Sequence, residues 1–162
     1  MIKQFVTQGA CLKCQGCCRF AQADSCWLPC LLDEDIARLK ENMLPVVISG
    51  SKKIIPLPLP AEDIYLCPFL NSADNKCRIY ALRPFECRLY PFLLNRKKDA
   101  LYLSMDLNCP FLKRHRGATE FNEYLGYLAG LLQSEEYQAV LKNNPQVFQT
   151  YPKGLDLTEI KI

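Results

Sequence analysis

Four cysteines, Cys11, Cys14, Cys17 and Cys18, stand close together near the start of the chain. The C-x2-C-x2-C spacing of the first three lets one loop turn three thiolates toward a single cluster, as in a ferredoxin-type run. Cys18 follows Cys17 directly, and adjacent side chains project in different directions. One of that vicinal pair therefore serves another metal atom or supports the first. A single tetrahedral zinc explains this poorly, because its usual pattern is two knuckles separated by a loop. The run reads as one part of a multinuclear metal centre, iron–sulfur before zinc. Soft thiolates suit both metals, so spacing alone leaves zinc as the alternative.

Four more cysteines, Cys67, Cys77, Cys87 and Cys109, are too widely spaced to form a motif by themselves, but their neighbours are informative. Cys67-Pro68 and Cys109-Pro110 repeat the Cys-Pro junction found where a lone cysteine closes a ferredoxin-type cluster. Arg19, Arg78 and Arg88 each follow a cysteine, where a cation would favour the thiolate and balance a sulfur-rich centre. Ordinary surface arginine is the plainer account of the same three residues.

Taken in order, Cys11-x2-Cys14-x2-Cys17-Cys18-Arg19, Cys67-Pro68-Phe69-Leu70, Cys77-Arg78-Ile79-Tyr80, Arg83-Pro84 and Cys87-Arg88-Leu89-Tyr90-Pro91-Phe92 carry a family resemblance. The chain resembles the CxxCxxCC, or YkgJ-type, cysteine-cluster family over roughly residues 11–110. The resemblance implies a zinc- or iron-chelating domain with eight ligands: Cys11, Cys14, Cys17, Cys18, Cys67, Cys77, Cys87 and Cys109. Cys26 and Cys30 depart from that set and read as buried thiols or as supports behind the ligands. Similar domains occur in the larger flagellin lysine N-methylases, whose activity transfers only weakly to so short a chain. His115 sits in Lys113-Arg114-His115-Arg116, a run that disfavours metal binding and suits a solvated basic turn.

Composition sets the frame for these residues. The chain has 162 residues, 49% hydrophobic and 23% charged, which predicts one globular domain spanning 1–162. A domain this long buries about two thirds of its unfolded surface and does not need metal merely to offset small size. Ten cysteines require another reason. The N-terminal residues show no secretory pattern, and no apolar run reaches the roughly 20 residues that span a bilayer. A cytoplasmic, reducing location is the expectation, where thiols act as ligands rather than bridges. Net charge is +3, with a basic stretch from Lys76 to Arg116 and an acidic tail from Gly117.

The elements that must position the cysteines read as an α+β domain: small, irregular around the metal, with a short β-hairpin and C-terminal helices. Residues 1–32 read as loops wrapped on a ligand. Asp33 resembles an N-cap, and its helix runs toward Pro45. Ile54 to Pro60 alternates prolines and reads as an extended connector at an edge. Ser72-Ala73-Asp74-Asn75 predicts a turn that brings Cys67 and Cys77 together. Phe92-Leu93-Leu94 and Leu101 to Met105 flank Asn95 to Asp99 as a hairpin, with Leu101, Leu103 and Met105 on its buried face. Helical spacing over 118–143 follows, with Thr119 as N-cap, a core stripe of Phe121, Tyr124, Leu125, Leu128 and Leu132, and a restart at Ser134.

Three function classes follow, with metal ions the first partner. The leading one is an iron–sulfur protein with a redox or metal-assisted role. The second is an enzyme acting on a protein or peptide side chain, for which Glu86, Asp106, Tyr80 and Tyr90 are the available proton carriers. The last is a zinc-stabilised module meeting nucleic acid through Arg96-Lys97-Lys98 and Lys113-Arg114-His115-Arg116. These basic runs lack interleaved aromatic residues, which places nucleic acid last.

Overall fold

The computed structural model describes residues 2–14, 16–45 and 47–161. Two compact units emerge, Thr7–Arg88 and a second formed by Met1–Val6 with Leu89–Ile162. Both helices and sheets are present, and the α+β expectation holds.

In the first unit the cysteine run does not begin as a loop. Helix α1 spans Gln8–Lys13, with the Thr7 side chain accepting from Ala10 N–H at its start and Cys14 closing its end. Strand β1 (Arg19–Phe20) follows. Helix α2 (Asp33–Glu41) starts one residue earlier than expected, since Leu32 is the N-cap and Asp33 opens the first turn. Asp35, not Asp33, satisfies the N-terminal amide, accepting from Leu32 N–H at 3.1 Å. The helix stops at Asn42, before Pro45, where Met43 takes a positive φ of 54°.

The proline-rich stretch supplies a strand. Strand β2 (Leu57–Leu59) pairs antiparallel with β3 (Ile64–Leu66), and β1 lies on the other side of β3. Pro58 is tolerated because β2 is an edge strand. Strands β4 (Leu70–Asn71) and β5 (Lys76–Cys77) make a small hairpin across the anticipated turn, with Asn75 at a φ of 59°. Helix α3 (Phe85–Leu89) carries Cys87. Leu31, Leu39, Ile54, Phe69 and Ile79 form the buried centre of this unit, and Cys67 and Cys77 pack against it.

In the second unit β6 (Phe92–Lys97) and β7 (Ala100–Asp106) form the expected hairpin. Its strands extend further than the sequence suggests, through Asn95, Arg96 and Lys97, leaving Lys98 and Asp99 as the turn, with Lys98 at a φ of 52°. Leu101, Leu103 and Met105 are buried. Helix α4 (Pro110–His115) precedes α5 (Thr119–Gln133) and α6 (Glu135–Asn143). Ala118, rather than Thr119, is the N-cap of α5, while Ser134 caps α6 as expected and accepts from Tyr137 N–H. Phe121, Leu128 and Leu132 face inward; Tyr124 and Leu125 are half-buried.

Strand β8 (Gly154–Ile160) was not anticipated; it pairs with β7 and completes a three-stranded sheet. Phe5 packs edge-on against Phe92, Phe111 and Phe121, which anchors the first residues in this unit. Among the described residues no helix is long and apolar enough to cross a membrane.

Candidate metal centre

All ten cysteines carry thiols rather than disulfides. Seven of the eight candidate ligands lie in the Thr7–Arg88 unit, and local structure explains how six of them meet. The β1–β3 pairing sets Arg19 opposite Leu66, so the residues just outside each strand, Cys18 and Cys67, become neighbours. Cys67 N–H donates to the Cys18 carbonyl at 2.9 Å, and their thiols also share a hydrogen bond. A turn from Cys67 to Leu70 then feeds the β4–β5 hairpin, which pairs Leu70 with Cys77.

Asn75, at the turn of that hairpin, reaches back to the cysteine run. Its side chain accepts from Arg19 Nη1 at 2.7 Å and donates to the Leu12 carbonyl at 3.3 Å, holding α1 and its Cys11 and Cys14. Asp35 holds the other approach. It accepts from Phe85 N–H at 2.9 Å, fixing the start of α3 and thereby Cys87, and pairs with Arg38 at 2.5 Å.

Electrostatics shows which thiols share a neighbourhood. Cys11 feels Cys14 and Cys18; Cys77 feels Cys18 and Cys11; Cys87 feels Cys18 and Cys77. Burial raises the pKa of Cys11, Cys77 and Cys87 above that of an ordinary thiol, and mutual repulsion between thiolates adds to the effect. Cys18 is raised first by its bond with Cys67 and then by burial. The arginine that opposes these shifts at all four is Arg83.

Arg83 was visible in the sequence only as part of an Arg-Pro pair. The flanking arginines expected to serve the thiols differ in role. Arg19 acts on Cys18, whereas buried Arg88 spends its guanidinium on the carbonyls of Arg83 and Ala81, at 2.7 Å each. A long side chain next to a cysteine in sequence need not face it in the fold.

The other candidates are placed differently. Cys17 is exposed, and Cys109 is buried in the second unit, directly before α4. Cys26 is partly buried; Cys30 is buried in a bridge to Lys53, its thiol pushed up to about 12 by burial and then by Glu86. Glu86 accepts from Cys30 N–H at 2.6 Å, and Tyr90 donates to Asp106 at 2.8 Å, so these carboxylates have structural work. His115 ends α4 rather than forming a turn, its Nδ1 2.8 Å from the Phe111 carbonyl and its ring stacked on Phe111.

Among the described residues, no three His, Cys, Asp or Glu side chains are drawn in to metal-ligating spacing. The donor set still fits a thiophilic metal: six sulfurs share one neighbourhood, with a buried arginine whose Nη2 has no hydrogen-bond partner among the described residues. The family model CxxCxxCC, described as "Putative zinc- or iron-chelating domain", matches residues 10–110.

The chain belongs to this family. Membership in the CxxCxxCC family makes it a protein that binds metal, with zinc and iron the two metals concerned. An uncharacterized protein of Methanocaldococcus jannaschii is 33% identical over 98 residues, which cover 59% of this chain and 46% of that protein. The CxxCxxCC chain thus spans about half the length of the relative it matches. No solved structure matches it.

Proposed function

We propose that the protein holds a multinuclear, cysteine-ligated iron–sulfur centre with a redox or metal-assisted role. The observation that carries this reading is the meeting of Cys11, Cys14, Cys18, Cys67, Cys77 and Cys87 around Arg83 in one unit. One tetrahedral zinc takes four ligands, so six thiols in one neighbourhood favour a cluster. Cys17 and Cys109 complete the proposed ligand set on the strength of the sequence motifs, and both fall within the matched residues 10–110. When bound, an iron–sulfur cluster supplies one-electron transfer or a Lewis-acidic iron. The thiols suit a reducing compartment such as the cytoplasm.

The methylase-like reading finds less support. An open pocket of about 660 Å³ is lined by Gln133, Glu135, Gln138, Ala139, Lys142 and Lys161, none of them a cysteine. Anaerobic purification followed by iron, zinc and acid-labile sulfide analysis tests the proposal. A coloured protein with iron and sulfide in comparable amounts is expected. Colourless protein with stoichiometric zinc and no sulfide would reject the iron–sulfur assignment while leaving a zinc centre.

A further inference from the structure

Arg83 is only 9% exposed, and its conformation is fixed from several directions. Its guanidinium carbon lies 3.5 Å from the centroid of the Tyr80 ring, and Nε donates to the Tyr80 carbonyl at 3.2 Å. Its own carbonyl accepts from Arg38 Nη2 at 3.3 Å and from Arg88 Nε at 2.7 Å. Yet Nη2 is buried with no hydrogen-bond partner among the described residues. Leaving such a donor unpaired is costly, so a tightly held orphan implies an acceptor that arrives with a ligand. Arg38 also has an unpaired nitrogen, Nε, but Asp35 meets its charge. The thiols its charge acts on are those of Cys11, Cys18, Cys77 and Cys87, with Cys11 the one most directly engaged.

We propose that Arg83 is a built-in counter-charge for the metal centre, its Nη2 donating to a thiolate or sulfide sulfur of the bound group. The assignment rests on the metal-centre reading above. It follows from the chemistry of such centres, since four thiolates on a divalent zinc leave a dianion and thiolate-bound iron–sulfur clusters are likewise anionic. A buried cation with a pre-set planar fork offsets that charge without reorganising when the centre loads. Donation to sulfur also favours the more negative, reduced state of a redox-active cluster.

The test compares wild type, Arg83→Lys and Arg83→Met after anaerobic reconstitution with iron(II) and sulfide, and separately with zinc(II). Circular dichroism checks that each variant folds. The Met variant is expected to release metal to a competing chelator about tenfold faster than wild type, within the range for groups that support metal ligands. The Lys variant should fall between them. The loaded iron–sulfur form of the Met variant should also have a lower midpoint potential, with Lys nearer wild type. Loss of a merely structural contact would not order the potentials by charge. If the Met variant does not fold, Arg83→Gln, which keeps an N–H donor and loses the charge, takes its place with the same expected direction. Folded variants that hold metal as tightly as wild type, at the same potential, would overturn the assignment. A wild-type chain that takes up neither iron–sulfur nor zinc would instead overturn the metal-centre reading on which it rests.

Discussion

At Cys18 and Cys67 a shared hydrogen bond links two thiols more than forty residues apart in sequence, and Cys77 and Cys87 extend the group from separate elements. Replacing Cys18 or Cys87 by Ser should therefore lower metal content by at least half. Cys26→Ser and Cys30→Ala should leave metal content unchanged, the second costing about 1 kcal/mol of stability as a buried truncation. Metal-to-protein ratios after anaerobic purification, with urea midpoints, separate the two classes; full loading in the Cys87 variant would remove it from the ligand set. The motif residues made most of these cysteines legible in the sequence. Arg83 was not legible as a partner, because adjacency suggests Arg88, whose guanidinium binds backbone carbonyls instead.

Among the elements, two carboxylates fasten neighbouring helices and strands with opposite dependence on pH. Burial raises the Asp35 pKa above its ordinary 3.8, even though two amides and Arg38 oppose the shift. Its contribution to stability is full below pH 3.8 and declines as pH rises through the higher folded value. At Asp156 a desolvation cost is outweighed by Lys97 at 2.5 Å and Ser104 at 2.7 Å, which lowers the pKa. Its contribution is present above pH 3.8 and is lost as pH falls through the lower folded value. Urea midpoints across pH should show Asp35→Asn losing the decline above 3.8, and Asp156→Asn losing stability chiefly above it. Asp35→Ala should cost about 3 kcal/mol, since it strands Arg38 and two amides. Asn75 gives a second test at this scale: Asn75→Gly tolerates the positive φ but drops the bonds to Arg19 and Leu12, so metal loading should fall in a folded protein. Normal loading would show that α1 is held by other means. The β6–β7 hairpin and α6 were legible because alternation and a capping serine are local signals. Strand β8 was hidden because Asp156 interrupts its apolar pattern, and its carboxylate becomes acceptable only beside Lys97, Ser104 and Asn95. Helix α1 was hidden because a helix of fewer than two turns containing Gly9 has no apolar stripe to reveal it.

Across the whole molecule, composition predicts one domain over 1–162, and within the chain two compact units gather, with residues 1–6 joining the later one. That division depends on the packing of Phe5 with Phe92, Phe111 and Phe121, long-range contacts that no sequence window displays. The family match at residues 10–110 runs past the boundary at Arg88 and takes in Cys109, while α5, α6 and β8 lie outside it. Ligand bonds stabilise the folded state in proportion to what they hold, so removing metal should loosen the segments that supply ligands. Hydrogen exchange before and after anaerobic chelation is therefore expected to show lost protection at residues 8–20, 64–71 and 76–89, with α5 and α6 unchanged. The segment around Asn108 to Leu112 carries the sharper result. If Cys109 is the eighth ligand, its amides lose protection together with those of the first unit, and Cys109→Ser reproduces that local loss in the metal-loaded protein. Unchanged exchange there, with full metal content in the serine variant, would confine the centre to the thiols of Thr7–Arg88.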